Sequence, residues 1–174
     1  MFTFVSGGMR SGKSNYALQR ASELGPPPWL YVAPEVEGDE GLKGRLSKHR
    51  RDQDAIWRVK DSAARLAEAL DPQVIDGHGA MVLDRFSAWL SGRIAASAPT
   101  DDRALLAEVA QLADLLYHCK IPVVVVTTEV GLGVTSPQGP DHRLVNVIGS
   151  ANQILAERAH SVVFMVSGVA QRLR

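Results

Sequence analysis

Eight residues constrain this chain more than any other stretch: Gly7-Gly8-Met9-Arg10-Ser11-Gly12-Lys13-Ser14. They fit the pattern G-x-x-x-x-G-K-[ST]. The glycines let the backbone bend until several N–H groups converge on phosphate oxygens. A helix that begins where the loop ends adds partial positive charge. Lys13 is placed to reach the β- and γ-phosphates, and the Ser14 hydroxyl to coordinate Mg²⁺. The flanks agree: a β-like FTFVS run precedes the loop, and a helix is expected over Lys13–Leu24, stopped by Gly25 and three prolines. The loop predicts binding of a nucleoside triphosphate. The bland alternative is a glycine-rich turn with an incidental lysine.

Further short apolar runs follow at residues 29–33, 80–84, 121–128 and 161–167, and the VVVV within the third of these reads as a buried strand. Near-continuous Val/Ile/Leu strands imply burial on both faces, as in a parallel sheet. Helix-like stretches lie between them. Leu66, Ala67 and Leu70 form a stripe after Asp61-Ser62, read as an N-cap. Thr100-Asp101-Asp102 opens a run whose leucines recur at three and four residues, and residues 141–159 form another such run. Strands alternating with helices predict an α/β fold: a P-loop NTPase-like three-layer sandwich with a mostly parallel central sheet. The 174 residues suit a single P-loop nucleotide-binding domain spanning 1–174.

Nineteen basic residues balance nineteen acidic ones, which gives no support to nucleic acid or an anionic membrane as the main target. No apolar run reaches the roughly 18 residues of a membrane span. The first residues run straight into a strand, so no signal peptide is expected and the cytoplasm is the expected compartment. Cys119 is the only cysteine, which excludes an internal disulfide and a cysteine zinc site. It reads as a small hydrophobe near a helix end.

A triphosphate site of this type needs an acid at the end of a nearby strand. Asp84 closes AMVLD and is the candidate metal partner, with an N-cap as its alternative. Glu129 follows VVVVTT and could enter the same crevice, because ligands gather beyond the carboxyl ends of parallel strands. Its alternative is a plain loop carboxylate. Residues 45–52 set Arg45, Lys48, Arg50 and Arg51 around His49. A neutral imidazole can attack phosphorus, and neighbouring cations hold it neutral. A solvated, charged helix explains the same residues. His78, His118, His142 and His160 are weaker candidates, and no pair of them has metal-ligand spacing.

Together these residues resemble the bifunctional adenosylcobinamide kinase/adenosylcobinamide-phosphate guanylyltransferase family of cobalamin synthesis. The blocks that carry the resemblance run in order along essentially the whole chain. They are GG-x-RSGKS, the YVA strand, Asp39, Arg45 to His49, Trp57, the acid Asp84 with Trp89-Leu90, Thr127 to Gly133, Asn152-Gln153, and Val166-Ser167-Gly168. The resemblance implies phosphorylation of the adenosylcobinamide hydroxyl by a triphosphate, ATP or GTP. It then implies transfer of GMP from GTP to that phosphate, with release of pyrophosphate, through a covalent guanylyl-histidine. His49 matches the histidine. The implied nucleotide contacts are the loop residues, Ala33, Pro34, Glu35, Arg50, Arg51, Asp52, Gln53, Asp61 and Asp84. A homo-oligomer is also implied, a trimer in the best-known form.

The chain departs from the family pattern at several positions. Pro34-Glu35 stands in place of two hydroxyl residues, Asp61 in place of a glutamate, Thr128 in place of an asparagine, and Gly92 in place of another. His142-Arg143-Leu144-Val145-Asn146 replaces an R-x-F-R-D block whose arginines would contact phosphates. These losses bear on whether both activities are kept. The competing readings are a different P-loop small-molecule kinase and a non-catalytic nucleotide-binding regulatory protein.

Overall fold

The computed structural model describes residues 1–34, 40–48, 56–61, 66–132 and 142–174. The first strand, β1 (Phe2–Gly7), is buried at every residue, and helix α1 (Lys13–Leu24) follows the loop. Strand β2 (Trp29–Ala33) leads on to α2 (Glu40–Lys48) and β3 (Trp57–Asp61). A 3-10 turn at Leu66–Leu70 and the short α3 (Pro72–Ile75) precede β4 (Ala80–Leu83). Helices α4 (Phe86–Ala95) and α5 (Asp102–Tyr117) lead to β5 (Val123–Val126). Helix α6 (His142–Arg158) and the hairpin β6 (Ser161–Val166) to β7 (Val169–Arg172) close the chain.

The seven strands form one sheet in the order β3-β2-β4-β5-β1-β6-β7. All neighbours pair in parallel except β6 and β7. The mostly parallel α/β sandwich read from the sequence is therefore observed. Alternate residues of the buried strands feed two cores. Phe2, Phe4, Leu30, Val32, Met81, Leu83, Val123 and Val125 pack under α4, α5 and α6. Val5, Trp29, Tyr31, Val82, Val124 and Val126 pack under α1, where Ala17, Leu18 and Ala21 give the helix a small-residue face. Strands buried on both faces explain why their sequences do not alternate.

Three local expectations need correction. Asp61 closes β3, opposite Ala33 of β2, instead of capping a helix. Ser62 lies outside the described residues. The Leu66 stripe makes a five-residue 3-10 turn, too short for the amphipathic helix its spacing suggests. Strand β3 has no counterpart among the apolar runs of the sequence, because it is an edge strand with one buried side chain. Trp57 sits against Trp29 with ring centroids 5.2 Å apart, while Arg58 and Val59 are exposed. An anchor at a single residue leaves no period to read.

Candidate active site

The carboxyl ends of β4, β5 and β1 stand side by side, and each carries part of the site. From β1 the chain turns sharply into the loop. Gly7 has φ 151° and Gly12 has φ 93°, values that L side chains rarely adopt. A Cβ on Gly7 would lie 2.4 Å from the Met165 carbonyl oxygen, and one on Gly12 would lie 3.3 Å from Gly168 Cα. Gly7 is therefore required by close backbone approach as well as by torsion, and Gly12 by torsion with a tight contact beside it. Arg10 also sits at positive φ, 58°. Residues Arg10 to Asn15 wrap a hollow of about 280 Å³ at the start of α1. No acidic residue occupies the first turn of that helix, so its N-terminal N–H groups face the hollow uncontested by carboxylates of that turn.

Lys13 is 8% exposed and its ammonium donates to the Gly8 carbonyl at 2.7 Å. Burial pulls its pKa below the usual lysine value, and the nearby Asp84 and Glu129 carboxylates offset part of that pull. One cation is thus flanked by two carboxylates from two strand ends. Asp84 is 2% exposed, and both its oxygens are occupied. Oδ2 accepts from the Tyr31 hydroxyl at 2.7 Å, and Oδ1 accepts from the Arg85 backbone N–H at 2.7 Å. The N-cap alternative for Asp84 is partly realised, since Arg85 (φ 59°) is the cap residue of α4 and Asp84 holds its N–H. Glu129 is half-buried; its N–H donates to the Gly7 carbonyl at 3.1 Å and its Oε1 accepts from Asn152 Nδ2 at 3.3 Å.

The remaining candidates divide. Ser14 is half-buried at the edge of the hollow. Its hydroxyl and the Asp84 carboxylate are hard oxygen donors, the type that suits Mg²⁺, which keeps its other positions for water and phosphate. The side chains of Ala33 and Pro34 are buried, so their backbone is what they offer a ligand. Asp61 is exposed at the edge of the sheet, two strands from Asp84. Glu35, His49, Arg50, Arg51, Asp52 and Gln53 lie outside the described residues, as do Asp39 and residues 133–141.

Arg143 does not reach the loop. Its guanidinium donates to Asp102 Oδ1 (2.9 and 2.8 Å), to the carbonyls of Ile94, Ser97 and Ala98, and to Ser97 Oγ. It closes the C-terminus of α4 onto α5. His160 accepts from the Phe2 N–H through Nδ1 and stacks on Tyr117, and His78 and His118 bond carbonyls of their own turns. Cys119 is partly buried beside the core, in keeping with a small hydrophobe at a helix end.

Two parts of the site have little or no trace in the sequence. Tyr31 reads as a core residue of YVA, and nothing in a lone strand says that its hydroxyl reaches the neighbouring strand's acid. The hairpin turn Ser167-Gly168, with φ 49° and 85°, is a two-residue loop with both φ positive. Its Gly168 N–H donates to the Ser11 carbonyl at 3.0 Å and so braces the phosphate loop. The dipeptide Ser-Gly at the end of the last apolar run, within the Val166-Ser167-Gly168 block, is the available signal.

Relatives in sequence point the same way as this geometry. A curated protein of Pseudomonas aeruginosa, "Bifunctional adenosylcobalamin biosynthesis protein CobP", is 30% identical over 174 residues, covering 100% of this chain and 98% of that protein. Its Salmonella typhimurium counterpart, "Bifunctional adenosylcobalamin biosynthesis protein CobU", is 28% identical over 188 residues, covering 100% of both chains. In fold, the chain resembles the solved flagellar accessory protein FlaH from Methanocaldococcus jannaschii with a TM-score of 0.52 at 13% identity, covering 99% of this chain and 77% of that one. That likeness shows the fold alone. The family model for cobinamide kinase / cobinamide phosphate guanyltransferase matches residues 3–173, and the chain belongs to that family.

Proposed function

We propose that this chain carries out both reactions of its family on adenosylcobinamide, with its nucleotides held on the loop from Gly7 to Ser14. In the first, a triphosphate donates its terminal phosphoryl group to the adenosylcobinamide hydroxyl. In the second, GTP gives GMP to the resulting phosphate and pyrophosphate leaves. The observation that carries the reading is the loop itself: a bent, N–H-lined cradle with a buried lysine flanked by Asp84 and Glu129, in a chain that matches the family model almost end to end.

The parts have separate work. Backbone N–H groups from Gly8 to Ser14 and the start of α1 hold the phosphates. Lys13 neutralises charge that develops on the leaving and transferred groups. Ser14 and Asp84 would hold Mg²⁺, which would supply positive charge against the phosphates. His49 is the residue that takes GMP, splitting the second reaction into two displacements. Glu35, Arg50, Arg51, Asp52, Gln53 and Asp61 complete the nucleotide contacts in this reading. It includes one nucleotide-binding domain over 1–174, cytoplasmic and homo-oligomeric as a trimer, and light scattering on the purified protein would test the trimer.

The test of the chemistry uses GTP labelled at the α-phosphate. Incubated with Mg²⁺ and then denatured, the protein should retain label that is acid-labile and base-stable, and His49→Ala should abolish it. Protein that binds GTP and never labels would remove the guanylyl step from this chain. Phosphorylation of a non-corrinoid alcohol in place of adenosylcobinamide would make it a different small-molecule kinase. Tight binding with no turnover would make it a regulatory protein.

A further inference from the structure

We propose that Glu129 is the general base of the kinase step, taking the proton from the acceptor hydroxyl, and that Asn152 and Thr127 are the residues that aim it. The inference rests on the kinase reading above and assigns the base which that reading leaves open.

Two carboxylates stand here in two environments. Asp84 is sealed: 2% exposed, one oxygen taken by the Tyr31 hydroxyl and the other by the Arg85 N–H. Held this way it is a fixed acceptor, suited to an ion or its water shell. Glu129 is half-buried, and among the described residues its carboxylate accepts from Asn152, at 3.3 Å, through one oxygen. A carboxylate has about four acceptor sites, so Glu129 has capacity for a further donor. Sites that assign different tasks to two acids do so by this kind of contrast.

Position supports the same division. Strand β5 lies between β4 and β1, so the chain that leaves it toward Glu129 emerges between the strand that ends at Asp84 and the strand that enters the phosphate loop. Its N–H is tied to the carbonyl of Gly7, the first residue of that loop. Both acids act on Lys13, whose ammonium rests on the Gly8 carbonyl. The cation meant for the terminal phosphates therefore has the less encumbered acid beside it, which is where an attacking hydroxyl must arrive.

The orientation of the side chain is also set. Thr127 is 1% exposed and Asn152 5% exposed, and the Thr127 hydroxyl donates to Asn152 Oδ1 at 2.9 Å. An ionised carboxylate only accepts, so the amide must turn its NH₂ toward Glu129 and its oxygen toward Thr127. A buried amide with both ends engaged is an aiming device, since a solvated loop carboxylate has no use for one.

In the phosphoryl step the acceptor oxygen forms a bond to the terminal phosphorus as its proton passes to Glu129. The bond from that phosphorus to the bridging oxygen breaks, and the nucleoside diphosphate leaves with that electron pair. Glu129 then gives its proton to water. Guanylyl transfer has no such proton on the attacking atom, because the attackers are the unprotonated nitrogen of a neutral imidazole and a phosphate oxygen.

Glu129→Gln keeps the shape and loses the base. Steady-state phosphorylation of adenosylcobinamide should fall about 10²–10³-fold in kcat, with the KM for the triphosphate within about threefold. Labelling of His49 from GTP should fall at least tenfold less than phosphorylation does. Asn152→Ala should lower the phosphorylation kcat about tenfold, and Glu129→Gln combined with Asn152→Ala should be no slower than Glu129→Gln alone. Phosphorylation by Glu129→Gln at the wild-type rate overturns the proposal, as does an equal loss of both activities. Active wild-type enzyme with an indifferent Glu129→Gln overturns this inference alone. Wild-type enzyme that phosphorylates no corrinoid overturns the kinase reading and this inference with it.

Discussion

Arg143 is the clearest case of a residue whose neighbourhood reassigns it. On the chain it stands where the pattern read from the sequence expects arginines that contact phosphates. In the fold, its donors go to Asp102, to three carbonyls around the end of α4 and to Ser97 Oγ. The Ile94 carbonyl is among the orphan acceptors a helix C-terminus leaves, the Ser97 and Ala98 carbonyls belong to the turn that follows, and a cation there also meets the negative end of the helix. Arg143→Ala should destabilise the protein by about 2 kcal/mol, because charged hydrogen bonds to a partly buried acid and to helix carbonyls are lost together. Its affinity for GTP should stay within about twofold of wild type in calorimetric titration. A collapse of GTP affinity in a folded variant would return Arg143 to the phosphates. Gly7 makes the opposite point: Gly7→Ala puts a Cβ 2.4 Å from the Met165 carbonyl oxygen at φ 151°. It should distort the loop's entry and lower both the melting temperature and nucleotide affinity.

At the scale of elements, the C-terminal hairpin is a support for the phosphate loop. Its turn donates the Gly168 N–H to Ser11, its strand β6 lays the Met165 carbonyl against Gly7, and Gly168 Cα lies close under Gly12. Gly168→Ala enters open space at φ 85°, so its penalty is conformational, roughly 1–2 kcal/mol. It should loosen the loop and weaken triphosphate binding several-fold in titration. Ser167→Asn is the control, since asparagine tolerates the left-handed conformation that Ser167 holds at φ 49°; it should leave both stability and binding near wild type. The hairpin also marks the limit of what the chain discloses on its own. The loop, α1 and the buried strands are legible because G-x-x-x-x-G-K-S is a local instruction and two-sided burial leaves unbroken apolar runs. β3 and β7 are not, for they are edge strands, and the four β7 residues are all exposed. Asp84 and Glu129 are legible as acids at strand ends. The bonds from Tyr31 and Asn152 are not, because those partners are 53 and 23 residues away and meet only across the sheet and helix.

For the whole molecule, the buried lysine sets function against stability. Lys13 is 8% exposed, and burial pulls its pKa below the ordinary 10.5 despite two flanking carboxylates. A depressed folded-state pKa means that the fold disfavours the ammonium relative to the unfolded chain. Below the folded pKa, both states carry the proton and the cost is present in full. As pH rises through the folded pKa toward 10.5, the native state releases a proton that the unfolded chain still holds. Stability therefore rises across that alkaline window, and above 10.5 the cost is gone. Lys13→Met keeps the packing and removes the charge, so the ligand-free variant should melt at a higher temperature than wild type at pH 7. The gap should narrow as the pH climbs toward 10.5, and because it is a difference between two proteins with the same tyrosines, it isolates Lys13 from them. The same variant should lose about 10²–10³-fold in phosphoryl transfer, the scale for one lost electrostatic donor. Saturating GTP should reverse the order of melting temperatures, because only the wild type gains fully from the ligand. A Lys13→Met variant that melts below wild type without ligand would show that attraction to Asp84 and Glu129 outweighs desolvation. A site that costs the fold stability until its substrate arrives is one selected for what it binds.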